Sequence, residues 1–175
     1  YVDIHAIRHL LQEKDPDNDY LLHKDECYFF NPEIELWLDV EEFRHHWRLA
    51  QSIEQKTGIE AAIPEYENAR LLYEGDFLEE ELYESWPVQE RENLKEIYLF
   101  ILDKLSEYHS TNGGFDAAIK LCETILAKDS CREDIHRRLM TCYHKTGRRS
   151  RAIKQFHKCD KILKSELEVE SSSIT

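Results

Sequence analysis

Nine histidines and five cysteines are the side chains here best suited to hold a metal ion, so their spacing decides whether that chemistry is available. His5 and His9 stand four apart and share a face if the segment is helical, as two zinc ligands on one helix must. No cysteine or acid completes a ligand set beside them. His45 and His46 are adjacent, which points them about 100° apart on a helix, and Cys142 and His144 diverge in the same way. Cys27, Cys122, Cys131, Cys142 and Cys159 are odd in number and form no C-x-x-C pair. They read as buried thiols of a reducing compartment rather than a disulfide framework. The run Glu79-Glu80-Glu81 reads as a solvated face, because a hydrolase needs two carboxyls in a cleft whose environments split their pKa values. No G-x-S-x-G, P-loop or glycine-rich dinucleotide turn is present. The expectation is a protein that is not an enzyme, with no cofactor and no metal.

Charge is distributed unevenly. The formal net charge is −13, which sets the chain as a whole against phosphate backbones and anionic membranes. Between Glu54 and Glu96 there are 13 acids and 4 bases, whereas between Cys131 and Lys164 there are 11 bases and 3 acids. Arg137, Arg148, Arg149 and Arg151 mark the basic part as a candidate protein-binding surface. It docks an acidic partner or packs electrostatically on the acidic half. Nothing interleaves aromatics with it on an obvious exposed face, as a nucleic-acid surface would require.

These residues need elements to position them. The chain has 175 residues, 34% charged and 41% hydrophobic, enough for one globular unit or two small ones. No apolar run approaches the roughly 18–20 residues of a membrane helix, and no basic-then-apolar leader opens the sequence; a cytoplasmic protein is expected. Ile4, Ile7, Leu10 and Leu11 have helical spacing over residues 2–13. Residues 20–23 and 27–30 flank Lys24-Asp25-Glu26 as a β-hairpin. This helix and hairpin are too small to bury a core alone.

Beyond residue 39 every signal is helical. Asp39 with Glu42 reads as a capping box, followed by Phe43, Trp47, Ala50 and Ile53 on one stripe, and Gly58 stops that helix. A second helix runs to about Tyr73, with Pro64 opening its first turn or kinking it. Residues 76–86 form a short helix or an ordered crossover. Pro87 then opens a long helix bearing Leu94, Tyr98, Ile101, Leu105 and Tyr108, which Asn112-Gly113-Gly114 ends. A helix over about 115–128 follows. Ser130 and Glu133 cap another that ends at Gly147, and the last carries Ala152, Ile153, Phe156 and Ile162 inward toward Leu167. Residues 171–175 read as a frayed tail.

Ala118 and Ala152 lie 34 residues apart, the period of a tetratricopeptide repeat, and Ala62, Tyr66 and Ala69 mark an earlier unit. Small residues let paired helices approach closely, and aromatics fill the space between pairs. The fold class expected is mainly α: a tetratricopeptide-like helical hairpin stack preceded by a short helix and a β-hairpin.

The segment Leu72-Tyr73-Glu74-Gly75-Asp76-Phe77-Leu78, with Trp86, Glu90-Arg91 and Leu94, resembles the signature of the bacterial transcriptional activator domain. So do Arg132-Glu133-Asp134-Ile135-His136-Arg137-Arg138-Leu139-Met140, Tyr143, Gly147-Arg148-Arg149 and Ala152, and the ending from Leu163 to Glu170. The resemblance implies a helical module over 37–170 of the kind found in antibiotic regulatory proteins and large ATPase-type regulators. In that family it follows a winged-helix domain. Residues 1–36 resemble the end of one, with His5, Arg8 and His9 as candidate DNA contacts on its helix and residues 20–31 as its wing, the rest lying before Tyr1. The implied function is a regulatory protein-interaction domain of a bacterial transcription regulator. Its partners would be other domains of the same regulator, a second copy or the transcription machinery, with DNA contacted only by the full-length protein and no membrane involved. The alternative is a DNA-binding fragment acting through residues 4–31. Trp86 and Arg91 are expected to fix the crossover against the long helix.

Overall fold

The computed structural model describes residues 4–80 and 83–166. The chain divides into two compact units, Tyr1–Leu38 and Asp39–Thr175. Glu81, Leu82, the ending Leu167 to Glu170 and the Ser171 to Ser173 tail lie outside the described residues.

In the first unit, α1 (Ile4–Lys14) precedes the strands β1 (Leu21–Lys24) and β2 (Cys27–Phe30). The strands pair antiparallel from Leu21 opposite Phe30 to Lys24 opposite Cys27. Asp25 and Glu26 make the turn with φ of 52° and 62°, the two positive values that a two-residue type I′ hairpin requires. The helix is tied to the hairpin through Arg8, whose guanidinium donates to the Leu21 carbonyl at 3.0 Å and lies 5.9 Å from the centre of the Tyr28 ring. Among the described residues of this unit only Leu21 is buried, as its few apolar residues predict.

Among the described residues the second unit is three helical hairpins: α2 (Asp39–Thr57) with α3 (Ile59–Leu72), α4 (Val88–Thr111) with α5 (Phe115–Lys128), and α6 (Glu133–Lys145) with α7 (Arg149–Glu166). Each helix packs on its neighbours in sequence, and α4 also touches α6 across the stack. This is the tetratricopeptide-like arrangement that the period predicts. The core centres on α4, where Leu94, Ile97, Ile101 and Leu105 recur at three- and four-residue intervals and are all buried, as is Leu102 beside them. Ala62 and Ala118, the fourth residues of α3 and α5, are fully buried where the helices of a hairpin approach.

The hairpins are closed by local chemistry. At the end of α6 the Gly147 amide donates to the His144 carbonyl and the Arg148 amide to Tyr143, with Gly147 at φ 74°. That is a Schellman stop, available to glycine without strain. The start of α6 differs from the sequence expectation. Arg132, not Ser130, is the cap position and no side chain caps the helix; the Ser130 carbonyl instead accepts from His136 Nε2 at 3.0 Å. Asp39 accepts from the adjacent Val40 amide at 2.8 Å. Pro64 is the sixth residue of α3, past its first turn, where it withdraws the amide that would bond Glu60.

The crossover between α3 and α4 contains no helix among its described residues. Its first part is clamped from three sides. The Tyr73 ring stacks on Tyr98 with centroids 4.0 Å apart, and its hydroxyl donates to Asp76 at 2.8 Å. Lys128 of α5 pairs with the same carboxylate at 2.7 Å. Arg91 donates to the Phe77 and Leu78 carbonyls. Trp86, in contrast, is 67% exposed, and the neighbouring Pro87 is the buried residue at this junction.

Candidate protein-interaction surface

The basic stretch of the sequence becomes α6, the α6–α7 turn and α7, and the fold sorts its cations into two groups. The first group is structural. Arg138 reaches from α6 to α4, donating to Asp103 Oδ1 at 2.5 Å and to Ser106 Oγ at 2.6 Å. Arg132 bridges Asp103 at 2.6 Å and Asp134 at 2.7 Å, and the paired guanidinium holds the Asp134 carboxyl below the usual range. His136 is buried between α6 and α7, donating to Ser130 and accepting from Gln155 Nε2 at 2.5 Å. Much of the motif from Arg132 to Met140 therefore joins α6 to its neighbours.

The second group faces outward. Of the four arginines singled out from sequence, Arg137 lies 3.3 Å from Glu133 on its own helix. Arg148 pairs with Asp116 of α5 at 2.6 Å, so it serves the turn as well as the surface. Arg149 and Arg151 are exposed, and the Arg151 guanidinium lies 6.0 Å from the centre of the Tyr143 ring. That ring is anchored by its hydroxyl, which donates to Glu123 at 2.6 Å. Burial and the Glu123 carboxylate push the Tyr143 hydroxyl up to about 12.

Arg149 and Arg151 sit in the first turn of α7, which holds no acidic residue. Cations there oppose the helix macrodipole, at a cost of about 0.3–1 kcal/mol each at an exposed site. By contrast α6 opens on Glu133 and Asp134, the favourable sign. Further along α7, Lys154, Lys158 and Lys161 are exposed too. Sequence reasoning missed these three lysines and also placed Ile153 and Phe156 inward. In the structure both are exposed, and the buried residues of α7 are Cys159 and Leu163. Counting four residues back from the buried Cys159 to Gln155 would have found the correct face.

The candidate DNA contacts divide as well: His5 and His9 are exposed on α1, while Arg8 is turned into the hairpin. His46 donates from Nδ1 to Glu65 at 2.6 Å, tying α2 to α3. Among the described residues no group of three or more histidines, cysteines and acids is placed to hold a metal ion. Burial pushes the Cys122 thiol up to about 12, which leaves it an unreactive core residue. Among the described residues no helix is long and apolar enough to cross a membrane.

A family model described as the bacterial transcriptional activator domain matches residues 38–175. No curated protein matches the chain significantly.

Proposed function

Because this chain belongs to the bacterial transcriptional activator domain family, we propose that its helical unit is the non-enzymatic protein-interaction module of a bacterial transcription regulator, acting through the basic surface of α6 and α7. The observation that carries the reading is the position of Arg149 and Arg151. They are exposed cations at the helix end where positive charge costs stability, whereas Arg132 and Arg138 nearby are engaged with the core. Charge held there against the local field, beyond what the Arg151 contact with Tyr143 uses, is available to a partner outside the module. The partner is another segment of the regulator, a second copy or the transcription machinery, and the setting is the cytoplasm. In the same reading residues 4–31 belong to a winged-helix domain that touches DNA only in the full-length regulator.

Affinity capture from bacterial lysate, comparing the parent with Arg149→Glu/Arg151→Glu, tests this. Recovery of a polymerase subunit or regulator segment, lost with the variant while circular dichroism is unchanged, is the expected result. Equal recovery by two folded proteins would remove the basic surface from the function.

A further inference from the structure

A cavity of about 450 Å³ opens within the second unit, between the start of α2, the end of α3 and the crossover. Small-molecule sites fall in the range of roughly 300–1,000 Å³. Val40, Phe43, Leu72, Phe77 and Leu94 are its apolar lining. Phe43 and Leu94 belong to the buried core, and the other three pack against it. The opening therefore reaches the apolar interior of the unit. The crossover that makes its other wall is already held in place. Arg91 fixes the Phe77 and Leu78 carbonyls, Tyr73 stacks on Tyr98, and Lys128 pairs with Asp76. A ligand entering here does not have to order the wall, which removes a large part of the usual cost of binding.

Charge decides what fits. The charged residues described along the cavity are all acidic: Asp39, Glu74, Asp76, Glu79 and Glu80. Asp76 is neutralised by Lys128 and accepts from the Tyr73 hydroxyl. The other four are exposed, and Glu74, Glu79 and Glu80 take part in none of the described ion pairs. Cations on the neighbouring helices are engaged elsewhere, Arg44 with Glu90 and Lys95 with Glu92. Gly75 leaves room for the Glu79 carboxylate, which lies 3.1 Å from the position a Cβ on that glycine would take. An anionic ligand is repelled by such a rim. Among the described residues no three of these groups are placed as metal ligands. Glutamates alone would be a solvated face; the apolar cavity that they border is what gives them a ligand to select.

We propose that this cavity binds a small organic cation, an amine on an aromatic or branched aliphatic body. The body lies against Phe43, Phe77 and Leu94, and the ammonium stays at the rim with Glu74, Glu79 and Glu80. Bound there, it bridges the first hairpin and the crossover and stabilises the folded unit by mass action. The inference goes beyond the protein-interaction reading, and neither depends on the other.

Tryptamine, tryptophol and indoleacetate test it, since they share one ring system and differ in charge. Each is titrated into the whole chain at low salt and followed by heteronuclear NMR. Tryptamine should give saturable shifts at the amides of Val40, Phe43, Leu72 and Phe77. Tryptophol should bind at least about fivefold more weakly, as loss of several exposed ion pairs implies, and indoleacetate not at all. Glu74→Gln/Glu79→Gln should weaken tryptamine by a similar factor and melt like the parent, since both side chains are exposed. No saturation by tryptamine up to about 10 mM overturns the proposal, as do shifts confined to other elements. Equal binding by indoleacetate, or unchanged affinity in the folded double variant, overturns it as well. Methylammonium producing the same shifts at equal concentration would leave only an acidic surface, and the proposal falls. Capture through Arg149 and Arg151 is a separate measurement that none of these results alters.

Discussion

Arg91 donates from its guanidinium to the backbone carbonyl of Leu78 at 2.6 Å, and Leu78 sits at φ 47°, in the left-handed region that a leucine seldom adopts. The Nε of the same side chain holds the Phe77 carbonyl at 2.7 Å, so one planar fork fixes two successive peptides. Lysine cannot reproduce that fork. Arg91→Lys should lower stability by about 1–2 kcal/mol in urea unfolding. Leu78→Gly removes a backbone cost of about 1–2 kcal/mol for an exposed side chain and should be neutral or mildly stabilising. A strong loss with Leu78→Gly would mean that the leucine side chain, not the clamp, organises the crossover.

The two groups of arginines should separate cleanly in stability measurements. Arg138→Ala strips Asp103 and Ser106 of a partly buried partner and should cost about 2 kcal/mol. Arg149→Glu/Arg151→Glu turns unfavourable charges at the start of α7 into favourable ones but gives up the Arg151 contact with the Tyr143 ring, so stability should stay within about 1 kcal/mol of the parent. Arg148→Glu belongs with neither group, since it sets a carboxylate against Asp116 and should destabilise modestly.

His136 gives the unit a pH dependence of definite sign. Burial disfavours its charged form and lowers its pKa in the fold below the ordinary histidine value of 6.5. Its Nδ1 accepts from Gln155, which also suits the neutral ring. The unfolded chain therefore binds the proton more readily. The contribution is fully present above about pH 6.5 and is lost progressively as pH falls from there toward the lowered value. Calorimetry between about pH 7.5 and 5.5 should show the midpoint falling, with a shallower fall in His136→Gln. Equal slopes for the two proteins would show that another group sets the dependence.

Much of this architecture is legible in residue types. Gly58, Gly113 and Gly147 each take positive φ at the helix ends where the sequence places stops, and the 34-residue step from Ala118 to Ala152 gives the repeat. The misreadings share a cause: periodicity finds apolar stripes without telling what lies opposite them. Ile153 and Phe156 have core-like spacing, yet both are exposed, and the buried side of α7 carries Cys159 and Leu163 instead. Likewise Ser130 and Glu133 fit a capping pattern, but the demand of buried His136 for the Ser130 carbonyl sets the local geometry instead. The role of Arg138 was also out of reach, because its partner Asp103 lies 35 residues away.

Amide hydrogen exchange on the protein alone and on its captured complex tests the central claim most directly. Added protection concentrated in α6 and α7, from Glu133 through Leu163, is the predicted result. Protection confined to α2, α3 or the crossover, with α7 exchanging as in the isolated protein, would contradict it.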